Sequence, residues 1–375
     1  MFYLVRSHSS LPNSFPMKRR MLTLLKVGAL TLLALSGGAV TYRSYLQRQQ
    51  AVRLEIHSPR AINEAGFVRL GGVEQWVQIR GQDSLNPVII IMSGGPGMPY
   101  TALTKLFQPW EAQFTVVMWD RRGVGKTFAR HGEAGSGAIT FDALANEGVE
   151  LTEHIRQRMH KDKVILLGHS VGSVIGVLMA QRRPDLFSAY VGTDQIVDMA
   201  QNESLSYQLL VQRVNAAGDA KLIKEVTDLG PPPYSDVNRW FDKQRLISAT
   251  DPVSKSFENT LFPMIMSAPD YSMKEMMAVG QGLKYSAAAL LSEMMSLDIR
   301  KSGTEFKVPF VLIEAENDVL DPTPLALEYF RLLTAPNKQL AILKGGGHNA
   351  IMAMPEAFLS ELITRVRPLA LTTAP

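Results

Sequence analysis

From Phe67 the chain sets apolar and polar residues in turn through "FVRLGGVEQWVQIRG", around a Gly-Gly pair. That alternation predicts an antiparallel hairpin with one covered face. Further on the pattern changes. "PVIIIMSGG", "FTVVMWD", "KVILLGHS", "AYVGTD" and "VPFVLIEAEND" are short unbroken apolar runs that end in Gly, Asp or Ser. Strands buried on both faces of a parallel sheet read this way. Stretches of helical character, such as 143–160 and 174–182, separate several of them. Strand and helix in alternation predict an α/β fold, a mostly parallel central sheet with helices on both faces. In such sheets the site lies beyond the carboxyl ends of the strands.

Between 199 and 303 the alternation stops. The segment is rich in Met, Leu, Ala and charged residues, turns at "GPPPY" and has no strong strand signal. It predicts a helical cap inserted between two strands. Its methionines (Met264, Met266, Met273, Met276, Met277, Met294, Met295) read as helix packing. The sheet-forming core is then 62–198 and 304–375.

The N-terminus has another character. Lys18-Arg19-Arg20 precedes "MLTLLKVGALTLLALSGGAV", residues 21–40, whose single charge is Lys26. A basic flank before an apolar run of about 20 residues is the pattern of a signal or a membrane anchor. Residues 1–45 are therefore expected to be that segment and 46–61 a polar tether. The membrane becomes an expected partner, with the rest of the chain outside the cytoplasm.

Composition removes several function classes. The formal charge of +4 is small for 375 residues, and much of the basic excess lies near the N-terminus, so no nucleic-acid face is indicated. With no cysteine there is no disulfide, thiolate metal site or cysteine nucleophile. "WDRRGVGKT" ends like a phosphate loop, but Asp120 stands where that loop needs its first glycine. A carboxylate there would repel a polyphosphate. The pattern asks for no cofactor and no metal.

"VILLGHSVGSVIGVLMA" carries Gly168-His169-Ser170-Val171-Gly172 between a buried strand and a helix. A serine on so sharp a turn needs glycines two residues to either side, and the turn presents its hydroxyl beside free helix-start N–H groups. A serine hydroxyl needs a base, and the base needs a carboxylate to orient it. His348, in "LKGGGHNA" after the apolar run "QLAIL", is the one histidine beyond Ser170. His169 is next to Ser170 but faces the other way round the turn. For the acid, Glu314, Glu316, Asp318 and Asp321 follow one strand. Glu314 belongs to the strand and Asp321, before Pro322, reads as turn or cap chemistry, which leaves Asp318. The early loop "MSGGPGMPY" brings backbone close to a substrate, so the N–H groups of Gly95 and Val171 are the expected oxyanion donors.

Together, Gly94-Gly95-Pro96-Gly97, Trp119-Asp120 with Arg122-Gly123 and Gly125, Gly168–Gly172, Asp318 and His348 resemble the prolyl aminopeptidase (proline iminopeptidase) branch of the α/β-hydrolases. The resemblance runs from about Val73 to the C-terminus. It implies an α/β-hydrolase fold whose cap precedes the strand of the catalytic acid, and a serine hydrolase that releases N-terminal proline or a similar small residue. "WDRRGVGKT" then matches the family's W-D-Q-R-G-x-G-x-S element, with Asp120 and Arg122 expected to pair. Three positions depart from the family. Ser93 stands where it has histidine, Val171 where it has tryptophan, and its cap glutamates for the substrate's amino terminus have no clear match among Glu203, Glu225, Glu258, Glu275 and Glu293. A carboxylesterase or lactonase on the same triad is the alternative, and a non-catalytic binding protein a further one. The expected substrate is a small molecule, short peptide or ester.

Overall fold

The computed structural model describes residues 15–371. Its strands are β1 (Ile62–Leu70), β2 (Val73–Gly81), β3 (Val88–Met92), β4 (Thr115–Asp120), β5 (Val164–His169), β6 (Phe187–Thr193), β7 (Phe310–Ala315) and β8 (Lys338–Leu343). They form one sheet in the order β1-β2-β4-β3-β5-β6-β7-β8. β1 and β2 are the expected hairpin, turned through Gly71 and Gly72 at φ 55° and 79°, a left-handed backbone that costs glycine little. β2 pairs antiparallel with β4, and every later pairing is parallel. The α/β expectation is met.

The unbroken apolar runs have a simple cause. Along β3, Ile90 and Met92 enter the core on one face of the sheet while Ile89 and Ile91 enter the core on the other. Both faces are covered, so no polar residue can alternate with them.

Five helices leave the sheet after β6 and return before β7: Met199–Ala217, Ala220–Leu229, Val237–Thr250, Pro252–Ser267 and Met273–Met295. Each starts on a short polar side chain that accepts an otherwise unpaired N–H: Asp198, Asp219, Asp236, Asp251 and Ser272. Those caps divide a long, strandless segment into separate helices.

The N-terminal expectation is corrected. Among the described residues no helix is long and apolar enough to cross a membrane, which contradicts the placement outside the cytoplasm and leaves the membrane partner without support. The run 21–40 lies in a helix, Phe15–Arg53, and the side chains of 21–23 and 27–36 are outside the described residues. Residues 46–53, read as tether, continue that helix. Its last part docks on the inserted helices through polar bonds: Arg43 Nη2 donates to Tyr271 O at 2.6 Å, and Gln47 Nε2 to Ala268 O at 2.7 Å and Tyr271 O at 2.8 Å.

Candidate active site

β5 gives way at Ser170 to the helix Val171–Arg182. Ser170 sits at φ 50°, ψ −123°, a costly backbone for a residue with a side chain. The neighbouring glycines make it possible. A Cβ on Gly168 would stand 2.7 Å from Gly172 O, and one on Gly172 only 2.1 Å from Met92 O. The turn holds Ser170 at the carboxyl edge of the sheet, where the segments after β6, β7 and β8 deliver Asp194, Asp318, Asp321 and His348.

His348 Nδ1 lies 2.9 Å from Asp318 Oδ2. The other Asp318 oxygen accepts the N–H groups of Leu320 and Asp321 at 2.8 and 3.0 Å, which fixes the carboxylate. Glu314 stays inside β7 and accepts the Gln195 N–H at 3.0 Å, while Glu316 pairs with Lys344.

Asp321 departs from its sequence reading. It does not cap the following helix, Thr323–Leu332, which has no side-chain cap. Its Oδ2 accepts the Ser170 hydroxyl at 3.0 Å and its Oδ1 the Asn202 amide at 3.2 Å. Among the described residues Ser170 Oγ makes no hydrogen bond to His348. Asp194 was not singled out from the sequence. At φ 47° beyond β6, it accepts His169 Nε2 at 2.7 Å and the Asn349 N–H at 3.0 Å, and lies 3.7 Å from His348 Nδ1. The other nitrogen of His169 meets Tyr100 Oη at 2.5 Å, so both of its ring nitrogens are engaged away from Ser170.

Three buried carboxylates, Asp318, Asp194 and Asp321, therefore crowd one imidazole, with Glu314 behind them in β7. Burial pushes Glu314 well above the usual carboxylate range and Asp321 up to about 7. Burial alone would lower His348, but Asp318 and Asp194 outweigh it and push it up to about 10. The resting imidazole thus holds its proton at neutral pH.

Gly95, at φ 57°, and Val171 line the same cavity as Ser170, and neither N–H is taken by an acceptor among the described residues. The glycine loop is held by Arg121, which the sequence did not single out. Its guanidinium donates to Ser93 Oγ at 2.5 Å, Gly95 O at 2.8 Å and Pro96 O at 3.0 Å. Arg121 thus meets Ser93, the residue that stands where the family has histidine. Among the described residues the expected Asp120–Arg122 pair does not form. Arg122 pairs with Glu147, and the buried Asp120 is satisfied by Thr101, Tyr271 and the Lys126 N–H at 2.7, 2.7 and 2.8 Å.

The cavity holds about 310 Å³ and is lined from the inserted helices by Met199, Trp240, Phe241, Leu283, Met294 and others. It sorts the five glutamates. Glu225 pairs with Arg245, Glu275 with Lys126, and Glu293 accepts the Phe141 N–H. Glu203 and Glu258 line the cavity. Glu258 is exposed. Glu203 is buried, ion-paired to Lys243 at 2.6 Å, with its second oxygen unpartnered.

A family model described as alpha/beta hydrolase fold matches residues 87–353. The chain belongs to the α/β-hydrolase fold family. A Bacillus subtilis (strain 168) protein named "Probable aminopeptidase YbaC" is 28% identical over 309 residues, 80% of this chain and 94% of its own. A proline iminopeptidase of Saccharolobus solfataricus is 22% identical over 209 residues, 52% of this chain and 62% of its own. The structure of a proline iminopeptidase-related protein from Thermus thermophilus matches with TM-score 0.53 at 20% identity, covering 82% of this chain and 99% of that one. At that identity it bears on the fold alone. This α/β-hydrolase thus carries the family architecture that its motifs implied.

Proposed function

We propose that the protein is a serine hydrolase working through an acyl-enzyme, and that it releases small N-terminal residues from peptides. Ser170 is its nucleophile, His348 its base and Asp318 the orienting acid. The observation that carries the serine chemistry is Ser170 on its strained turn, sharing one cavity with a histidine whose Nδ1 is tied to Asp318 at 2.9 Å. With Nδ1 so held, Nε2 is the nitrogen left for the serine proton. Ser170 Oγ attacks the substrate carbonyl and its proton passes to Nε2 of His348 in its neutral form. The oxyanion draws on the N–H groups of Gly95 and Val171, worth about 3 kcal/mol each in such sites. As the carbon–nitrogen bond breaks, the leaving amine takes the proton from His348. Water then repeats the sequence on the acyl-enzyme and frees Ser170.

The aminopeptidase reading is supported by the acidic cavity and by the relative named an aminopeptidase. A free amino terminus is a cation, and a buried cation needs a paired charge. A carboxylesterase is the second reading, favoured by the largely apolar lining, with Trp240, Phe241 and Leu283 among it. One experiment tests the chemistry and then divides the readings. A fluorophosphonate should label the wild type and not Ser170→Ala; an unlabelled wild type refutes the serine mechanism. Alanine and proline arylamides assayed beside short acyl esters then decide the class. Ester turnover without arylamide cleavage sinks the peptidase reading.

A further inference from the structure

We infer that Asp321 receives the substrate's ammonium group, so that this aspartate, and not a glutamate of the inserted helices, selects substrates with a free amino terminus. The inference rests on the aminopeptidase reading. In such a substrate the nitrogen is one carbon away from the scissile carbonyl, about 2.5 Å from the carbon under attack. Attack begins at about 3 Å, so the ammonium must come within a few ångströms of the nucleophile oxygen. A carboxylate that binds it has to be a neighbour of Ser170. Asp321 Oδ2 is 3.0 Å from Ser170 Oγ, and Asp321 lines the cavity.

Of the nearby acids, Asp318, Asp194 and Glu314 do not line the cavity. Glu258 lines it but is exposed, and Glu203 lines it with one oxygen ion-paired and the other unpartnered. Asp318 holds His348 and two backbone N–H groups. Asp194 holds His169 and the Asn349 N–H. Glu314 is inside the sheet. Glu203 already has a cation, the Lys243 ammonium at 2.6 Å. Asp321 has only neutral donors, Ser170 and Asn202, at hydrogen-bond distance. Among the described residues its sole ion-pair partner is His348, at 4.0 Å. It is an acid without a lysine or arginine, placed where the ammonium has to go.

The same placement gives binding a catalytic consequence. In the unliganded site the Ser170 hydroxyl donates to Asp321 and is turned away from its base. An ammonium on Asp321 is a stronger donor and takes the place of that hydroxyl, which frees Ser170 to turn to His348. It also neutralises one of the carboxylates that keep His348 protonated. A neutral substrate does neither.

The test is protection of Ser170 against fluorophosphonate labelling by alaninamide and by propionamide, which differ only in the amine. Wild type, Asp321→Asn and Glu203→Gln are compared as full-length proteins at neutral pH. The half-protecting alaninamide concentration should rise about 10- to 100-fold in Asp321→Asn, as loss of a charge-assisted bond implies, and less than about 3-fold in Glu203→Gln. Should the amide variant fail to fold, Asp321→Ser, smaller and also neutral, gives the same comparison. If the aspartate variants discriminate alaninamide from propionamide as the wild type does, or if Glu203→Gln is the one that loses discrimination, the assignment to Asp321 is wrong while the aminopeptidase reading stands. If the wild type is protected equally by both amides and cleaves no arylamide, the aminopeptidase reading fails and takes this inference with it.

Discussion

At the scale of single residues the site is governed by charge. In the proposed mechanism His348 must be neutral to accept a proton, and the carboxylates around it push it up to about 10. The base form therefore grows as pH rises. Turnover of a neutral short acyl ester should keep climbing above pH 8 instead of levelling near 7. Replacing Asp321 with Asn removes one of the negative charges facing the ring. That lowers the histidine pKa, so the rising limb should move to lower pH. Profiles of kcat/KM against pH for the two proteins check this, and an unmoved limb would show that Asp321 does not act on His348. The sequence made part of this legible. Ser170, His348 and Asp318 could be proposed because a strand, a turn and a motif announce each one locally. Asp321, Asp194 and Arg121 could not, since their roles rest on contacts between distant segments. Ser170 and Asp321 are 151 residues apart, and Asp194 and Asn349 are 155.

At the scale of elements, the strand–turn–helix around Ser170 tolerates no added atom at its crossing points. A Cβ on Gly172 would meet Met92 O at 2.1 Å and Ser93 O at 2.7 Å, both backbone atoms of the segment that leads into the glycine loop. Backbone cannot swing aside as a side-chain tip can. Gly172→Ala should cost about 3 kcal/mol or more, and the helix or the loop must shift. Gly280 is the contrast. It lies in the helix Met273–Met295 with nothing within 4 Å of an added Cβ. Gly280→Ala should instead stabilise by about 0.5–1 kcal/mol through helix propensity. Urea unfolding of both variants checks the pair, and similar midpoints would refute the packing argument. The elements themselves were legible wherever burial on both faces left unbroken apolar runs. The division of 199–303 into five helices was less so, because it rests on single capping residues such as Asp219 and Ser272 within similar sequence.

At the scale of the whole molecule, the N-terminal helix takes part in the architecture over the site. Arg43 is buried, and with Gln47 it gives three hydrogen bonds to the carbonyls of Ala268 and Tyr271, at the turn between the last two inserted helices. Tyr271 in turn donates its hydroxyl to Asp120 Oδ2 at 2.7 Å, at the carboxyl end of β4. That carboxylate also accepts the Lys126 N–H, while Asp120 Oδ1 takes the Thr101 hydroxyl. The helix therefore reaches the sheet edge through the turn it holds. Patterning could not reveal this, since the carbonyls that Arg43 and Gln47 meet lie more than 220 residues away. Arg43→Ala combined with Gln47→Ala removes all three bonds and leaves every cavity-lining side chain in place. At about 1 kcal/mol for each bond, the turn should open more often by about 2–3 kcal/mol. Exchange of the Ala268 and Tyr271 amides should quicken about 30- to 160-fold, while exchange within β5 stays unchanged. Unchanged exchange at the turn would show that the helix rests on the inserted segment without holding it.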